Sequence, residues 1–150
     1  MITREADFEA DALAIFDGAK DFVSRLDFPE YVAQDDEGLI EAIGFVTSMP
    51  GFECWLVEND GRIVGGIGFV IAPPLWNRRI MGISEVFIWT APDAPPTAFL
   101  RLVKQFMKRK TETGAIYREL VNLTSSPPSI AKVYERMGLR KAQETWIGIG

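Results

Sequence analysis

The chain has 150 residues, of which 47% are hydrophobic and 25% are charged, and its formal net charge is −5. These values predict a single soluble globular domain over residues 1–150, with apolar runs too short to cross a bilayer. The absence of histidine excludes Ser–His and Cys–His nucleophiles and His-ligated zinc, so a general base must be a carboxylate, a lysine, a tyrosine or a water relay. Because Cys54 is the single cysteine, an internal disulfide bond is excluded and a reducing compartment such as the cytoplasm is indicated. Its apolar neighbours predict that Cys54 is a buried structural thiol.

The first 50 residues predict one short strand followed by two helices. Ile2–Glu5 has the composition of a short strand. From Phe8 to Leu26, apolar residues recur every three or four positions, which predicts a helix with one buried face that Pro29 ends or interrupts. A second, shorter helix is predicted over Gly38–Thr47.

The next 40 residues predict a β-hairpin and a third strand. Asp60-Gly61 separates two β-rich runs, Cys54–Glu58 and Ile63–Ile71. Asp-Gly is a strong signal for a tight turn, because glycine accepts the positive φ that the turn requires. Ala72–Arg79 is predicted to be a loop, and Ile80–Thr90 the third strand of this region.

The last third of the chain predicts two helices that alternate with strands. The first helix spans Thr97–Thr113, and the second begins at Ser125–Ser129 and is capped by Gly138. The strands are predicted at Glu119–Leu123, Leu139–Ala142 and Thr145–Ile149. The resulting order β-α-α-β-β-β-α-β-α-β predicts an α/β fold with a mixed sheet and helices on both faces. Ligands of such sheets bind beyond the strand ends, where neighbouring strands diverge.

Three stretches of the sequence resemble the GCN5-related N-acetyltransferases. They are Trp55–Gly66, which reads as the hairpin leading into Ile-Val-Gly, Ile83–Ile88, and Val133–Arg140 with its Tyr-Glu-x-hydrophobic-Gly pattern. The resemblance covers nearly the whole chain and implies the acyl-CoA N-acyltransferase fold. It also implies transfer of an acetyl group from acetyl-CoA to an amine.

The resemblance further implies where acetyl-CoA binds. In the family, a bulged strand diverges from its neighbour, and its backbone, here at Phe87, Ile88 and Trp89, pairs with the pantetheine arm. The family then has a glycine-rich loop at a helix start, where free N–H groups and the helix dipole bind pyrophosphate.

In this chain the corresponding loop, Pro92–Ala98, is shorter and has neither glycine nor arginine. Two of its residues, Pro95 and Pro96, have no N–H, and Asp93 adds a negative charge. The groups left to bind phosphate are the first-turn amides, including those of Thr97 and Ala98, and the side chain of Arg101.

The catalytic residues implied by the resemblance are Glu85 and Tyr134. Glu85 would relay a proton from the attacking amine, since burial raises the pKa of a carboxylate toward a useful value; a polar outward position on a strand is the alternative. Tyr134 would protonate the departing thiolate, or it is a core tyrosine with its hydroxyl at the rim. Pro127 stands where the family commonly has an asparagine, and Asn122 is a candidate substitute.

The acceptor is indicated only by the distribution of charge. Residues 1–60 carry 15 Asp and Glu against 3 Lys and Arg, and residues 61–150 carry 6 against 13. An acidic first part suits a cationic amine, such as a lysine, a polyamine or an aminoglycoside-like molecule. Solvated helix faces, which charge runs more commonly represent, explain the same pattern.

Two further interpretations concern partners. The loop Pro73–Arg79 combines Trp76 with Arg78 and Arg79, which is the composition of a protein-interaction hot spot. An ordinary hairpin loop without a partner is the alternative. Nucleic-acid binding is disfavoured, because no aromatic stacking platform accompanies this loop. The ending around Leu139-Arg140 and Glu144-Thr145 also resembles short phage-encoded proteins. A non-catalytic binding or assembly protein, located in a virion if phage-encoded, is therefore the alternative to an enzyme.

Overall fold

The computed structural model describes residues 1–26 and 35–146 of the chain. The strands are β1 (Ile2–Glu5), β2 (Phe52–Asn59), β3 (Arg62–Ala72), β4 (Gly82–Thr90) and β5 (Tyr117–Glu119). The helices are α1 (Ala12–Ser24), α2 (Asp36–Thr47), α3 (Thr97–Thr113) and α4 (Pro128–Arg136). The strands form one sheet in the order β1-β2-β3-β4-β5, in which only β4 and β5 are parallel. The predicted α/β fold with a mixed sheet is thereby confirmed.

Local sequence signals located the hairpin and α3 correctly. Asp60 and Gly61 both have positive φ, at 51° and 76°, which is the geometry of the tight turn that Asp-Gly predicts. The helix α3 has the predicted bounds and is followed by Gly114, whose φ of 73° closes its last turn. The helix α1 begins at Ala12 rather than Phe8, because Asp7 holds the preceding residues in a turn by accepting from the amides of Glu9 and Ala10.

The prediction for the fifth strand was wrong. β5 covers Tyr117–Glu119 instead of Glu119–Leu123. The reason is that side chains take the backbone groups of Val121: its N–H donates to Glu85, and its carbonyl accepts from Tyr134. A residue whose backbone is engaged in this way cannot join a strand ladder, so Asn122 does not lie at a strand end.

The predicted final strands are also not observed among the described residues. Leu139–Ala142 has no strand, and the residues after Leu139 up to Trp146 are exposed, so no alternating face is buried. Thr145 and Trp146 are likewise not in a strand. The rest of Thr145–Ile149, and the predicted helix end at Pro29, lie outside the described residues.

The sheet separates two hydrophobic clusters. One lies against α3 and α4 and includes Phe69, Leu102 and Phe106, each fully buried. The other lies against α1 and includes Ile15, Cys54, Leu56, Phe87 and Trp89. Cys54 is buried, as predicted, and its burial raises the pKa of the thiol to about 12. Each large apolar side chain buried in this way contributes about 1.5–3 kcal/mol to the free energy of unfolding.

A close contact fixes α1 against β4. A Cβ atom at Gly18 of α1 would lie 2.0 Å from the ring of Trp89 on β4, so only glycine permits this approach. The contact brings the C-terminal end of α1 beside the part of the sheet where the site lies.

The strand β4 contains a bulge. Gly68 on β3 pairs with Phe87, while the next residue, Phe69, pairs with Glu85, so Val86 has no partner in this register. A β-bulge bends its strand and redirects the neighbouring side chains.

Among the described residues, no helix is long and apolar enough to span a membrane.

Candidate active site

The gap between β4 and β5 begins immediately before the bulge. The two strands pair at Gly82 with Tyr117, at Ile83 with Arg118 and at Ser84 with Glu119. Within residues 1–26 and 35–146, no pair joins them beyond Ser84. The second half of β4 therefore borders a cleft instead of a neighbouring strand.

A cavity of about 170 Å³ occupies this cleft. It is lined by side chains from α1, β4, α3, α4 and the segment between β5 and α4. These residues are Phe22, Arg25, Glu85, Ile88, Trp89, Thr90, Phe99, Val121, Leu123, Ser126, Pro127, Ile130 and Tyr134.

Glu85 is a buried carboxylate with one free oxygen. It is 6% exposed, its Oε1 accepts from the Val121 amide at 3.4 Å, and its Oε2 has no hydrogen-bond partner. Burial raises the pKa of Glu85 to about 8, and the charge of Glu119 adds to the rise. The Val121 amide and the positive charge of Arg25 oppose it. Glu85 is thus mostly protonated at pH 7 and becomes a carboxylate as the pH passes 8.

Tyr134 projects from α4 into the same cavity. Its hydroxyl donates to the Val121 carbonyl at 3.1 Å, and its side chain is buried. Burial raises the pKa of the Tyr134 phenol, and the nearby Glu85 carboxylate raises it further. Both predicted catalytic residues therefore bond to the backbone of Val121, Glu85 to its N–H and Tyr134 to its carbonyl.

Of the three predicted pantetheine-binding residues, Ile88 and Trp89 line the cavity and Phe87 does not. Phe87 and Trp89 pack in the cluster against α1, whereas Ile88 packs in the cluster against α3 and α4. The carbonyl of Ile88 accepts a hydrogen bond from Nη2 of Arg25 at 3.0 Å. This carbonyl is thus within reach of a donor from outside the sheet.

The loop at the start of α3 uses part of its backbone internally. The Ala98 amide donates to the Pro95 carbonyl at 2.9 Å, so one of the predicted phosphate-binding amides is already engaged. Thr97 and Arg101 are exposed. Asp93 pairs with Arg62 at 2.6 Å, and this ion pair partly offsets the negative charge of Asp93.

Asn122 does not join the other predicted site residues. It is exposed, and its neighbours Val121 and Leu123 line the cavity in its place. Sequence reasoning missed Val121 and Arg25. Val121 acts through its backbone, which leaves no signature in the residue type, whereas Arg25 was detectable as one of two basic residues within α1 and its C-cap.

A second, apolar cavity of about 130 Å³ lies on the other side of β4, between α1 and α2. Apart from Thr47 its lining is hydrophobic, with Ile15, Leu39 and Phe87 among its residues. Phe22 lines both cavities, so the two are neighbours.

Two acidic residues among the first 60 are paired with basic side chains. Asp11 pairs with Arg4 at 2.8 Å, and this ion pair lowers the pKa of Asp11. Asp36 pairs with Lys20 at 3.0 Å. These pairs use Arg4 and Lys20, two of the three basic residues among the first 60, so the acidic excess of that part is unchanged.

The loop after β3 has the exposure that an interaction site requires. Trp76 is 93% exposed and Leu75 is 72% exposed, and Nη1 of Arg78 donates to the Pro73 carbonyl at 2.7 Å. A partner for this loop stays a prediction.

Within the described residues, no group of three or more His, Cys, Asp or Glu side chains is arranged to hold a metal ion.

Solved structures of similar shape include acetyltransferases. A transcriptional regulator from Bacillus halodurans C-125 is 18% identical, with a TM-score of 0.76 and 99% of each chain covered. The ribosomal-protein-alanine N-acetyltransferase from Brucella melitensis biovar Abortus 2308 is 13% identical, with a TM-score of 0.71 and all of both chains covered. A predicted acetyltransferase with acetyl-CoA from Clostridium acetobutylicum is 15% identical, with a TM-score of 0.68, and the match covers 99% of this chain and 95% of that one.

No protein-family model matches the sequence, and comparison with curated proteins gives no match. At these identities the structural similarity defines the fold alone. The chain has the GCN5-related N-acetyltransferase fold.

Proposed function

We propose that the protein is an acetyl-CoA-dependent N-acetyltransferase. The observation that carries the proposal is the cavity between β4 and β5, which holds a buried carboxylate and a buried phenol 3.4 Å and 3.1 Å from the same backbone unit. Structures of the same fold include proteins described as N-acetyltransferases, one of them with acetyl-CoA. Fold alone does not establish an activity, so the proposal rests on the site.

The residues of the cleft fit the two ends of acetyl-CoA unequally. Ile88, whose carbonyl accepts from Arg25, offers backbone groups along the open edge of β4, where a pantetheine arm would lie between Phe87 and Trp89. At the other end, Thr97 and Arg101 are the remaining groups for phosphate, because Ala98 donates its amide to Pro95. Acetyl-CoA supplies an activated acetyl thioester when it is bound.

Glu85 and Tyr134 have protonation states suited to opposite roles. The free Oε2 of Glu85 accepts a proton from the attacking amine once the carboxyl is ionised, directly or through water. Tyr134 carries its proton at neutral pH, as an ordinary phenol does even without the rise in its pKa, and it would donate that proton to the sulfur that leaves. An N–C bond forms, a C–S bond breaks, and one proton passes to Glu85 while another leaves Tyr134.

The acceptor is proposed to be an amine that carries an apolar group. The apolar cavity beside Phe22 lies next to the catalytic cavity, and a cavity of comparable size, about 150 Å³, holds a benzene ring in another protein. The acidic excess of the first 60 residues is compatible with a positive charge on that amine.

A non-catalytic binding protein of the same fold is the alternative. It is favoured by one observation, the loss of free amides at the start of α3, where Pro95 and Pro96 have no N–H and Ala98 is engaged. A role in a virion would be one form of this alternative.

Thermal unfolding with and without acetyl-CoA tests the proposal. A ligand that binds only the native state at 100 times its Kd adds about 2.7 kcal/mol to the free energy of unfolding, which for this length raises Tm by roughly 5–10 °C. We expect such a shift with acetyl-CoA, and release of free CoA when amines with apolar groups are added. The absence of any shift at millimolar acetyl-CoA would favour the non-catalytic alternative.

A further inference from the structure

Arg25, the residue that ends α1, contacts both walls of the cleft. Its side-chain Nη2 donates to the Ile88 carbonyl on β4 at 3.0 Å. Its backbone carbonyl accepts from Oγ of Ser125, in the segment between β5 and α4, also at 3.0 Å. Arg25 thus connects β4 to the segment that leads into α4, across the gap that the two diverging strands leave.

The bond to Ile88 lies where the pantetheine arm is proposed to bind. Ile88 is the middle of the three predicted pantetheine-binding residues, and it lines the cavity. A pantetheine amide that donates to this carbonyl would bind at the edge of β4 where the guanidinium of Arg25 now donates. The carbonyl has two lone pairs, so the two donors compete for the space beside Ile88 rather than for the acceptor itself.

The side chain of Arg25 has a second anchor outside the cleft. Its Nε lies 3.2 Å from Oδ2 of Asp21, one helical turn earlier, but the N–H is not aligned and has no hydrogen-bond partner. Both side chains are more than a third exposed. A guanidinium released from Ile88 can therefore turn toward Asp21 without losing its ionic partner.

We propose that Arg25 is the gate of the cofactor cleft: it holds the unliganded cleft closed through Ile88 and Ser125, and it releases Ile88 when a pantetheine arm binds along β4. This inference rests on the proposed acetyl-CoA site. Arg25 is a positioning residue in this scheme, because it controls access to the backbone of β4.

Movement of Arg25 would also change the pKa of Glu85. Among residues 1–26 and 35–146, the charged and titratable groups that face Glu85 are Arg25 at the end of α1, Glu119 from β5 and Tyr134 from α4, and Asp21 partly offsets the charge of Arg25. The Arg25 charge lowers the pKa of Glu85, against the effect of burial. Removal of Arg25 therefore raises the pKa of Glu85, whereas removal of Ser125 leaves this charge in place.

The test compares R25A and S125A with R78A and the unmodified chain. Arg78 is a matched control, because its guanidinium also donates to a backbone carbonyl, that of Pro73, in a loop that does not line the cleft. We expect isothermal titration to show that R25A binds acetyl-CoA about 5- to 10-fold more tightly, S125A about 2-fold more tightly, and R78A with unchanged affinity. The pH at which acetyl transfer is half-maximal should rise in R25A alone.

If R25A and S125A bind acetyl-CoA no more tightly than the unmodified chain does, the proposal that Arg25 is a gate is wrong. Should R25A fail to fold, S125A decides alone, because it removes only a hydroxyl from an exposed position. If no variant binds acetyl-CoA, the proposed function fails, and hydrogen exchange of the unliganded chains then decides on the gate. Faster exchange than in R78A over residues 85–90 and 121–126 supports it, and unchanged exchange overturns it.

Discussion

The two ends of the cleft beside β4 use their polar groups in opposite ways. At the end next to β5, Glu85 keeps one buried oxygen without a partner, and burial raises its pKa to about 8. At the other end, the loop before α3 uses the Ala98 amide internally and has two prolines where N–H groups are expected. Unpaired buried polar groups lower stability, so their presence at one end indicates function there. For the proposed donor, acetyl-CoA, this difference predicts recognition through the thioester and pantetheine rather than through phosphate.

Among the substitutions that test this difference between the two ends of the cleft, E85Q is expected to have the largest effect. The amide has nearly the same shape but cannot accept a proton from an amine, so kcat should fall about 10²- to 10³-fold while the Kd for acetyl-CoA stays unchanged. Steady-state kinetics and calorimetric titration measure the two quantities. An unchanged kcat would remove Glu85 from the mechanism.

The pH dependence of stability provides the control for E85Q. Between pH 4.5 and pH 8 the folded chain keeps a proton on Glu85 that the unfolded chain releases, because the folded pKa is about 8 and the ordinary value is 4.5. This contribution to the free energy of unfolding is complete below pH 4.5 and is lost as the pH rises toward 8. E85Q should remove that decline in Tm, whereas a substitution of the exposed Glu112 should not.

A smaller effect is expected from Y134F. Loss of the proton donor should lower kcat about 10- to 100-fold, and the Val121 carbonyl, left without its 3.1 Å donor, should cost about 1 kcal/mol of stability. Kinetics and denaturant unfolding measure these changes. If kcat stayed unchanged while stability fell, Tyr134 would be a structural residue only.

The smallest effect is expected at the phosphate end, where replacing Pro95 and Pro96 by glycine adds two N–H donors. We expect the Kd for acetyl-CoA to fall about 3- to 10-fold, although glycine raises the entropy of the unfolded chain and lowers Tm. The matched control is the same double replacement of Pro73 and Pro74, a proline pair in the loop after β3. Equal effects on Kd from both replacements would show that the loop amides are not the limiting feature.

The sequence allowed prediction of those parts of the fold that local interactions determine. Asp60-Gly61 specifies its turn through two adjacent residues, and α3 is bounded by Pro96 and Gly114. The site could be predicted only in part. Glu85 and Tyr134, the predicted catalytic residues, line the same cavity, and their catalytic roles stay predictions.

The end of β5 and the contacts of Arg25 could not be predicted, because they depend on residues far apart in the chain. The Val121 amide donates to a residue 36 positions earlier, and its carbonyl accepts from one 13 positions later. Arg25 donates to a carbonyl 63 positions away. No local pattern in the sequence encodes such pairs.

Cys54 has a practical consequence for measuring the proposed activity. It is the only cysteine, is 1% exposed, and its pKa of about 12 leaves almost no thiolate at neutral pH. A thiol-reactive dye added to the native protein would therefore report CoA set free by the reaction, with little background from the protein. The same dye would label Cys54 when the sheet opens, so one reagent follows both turnover and unfolding.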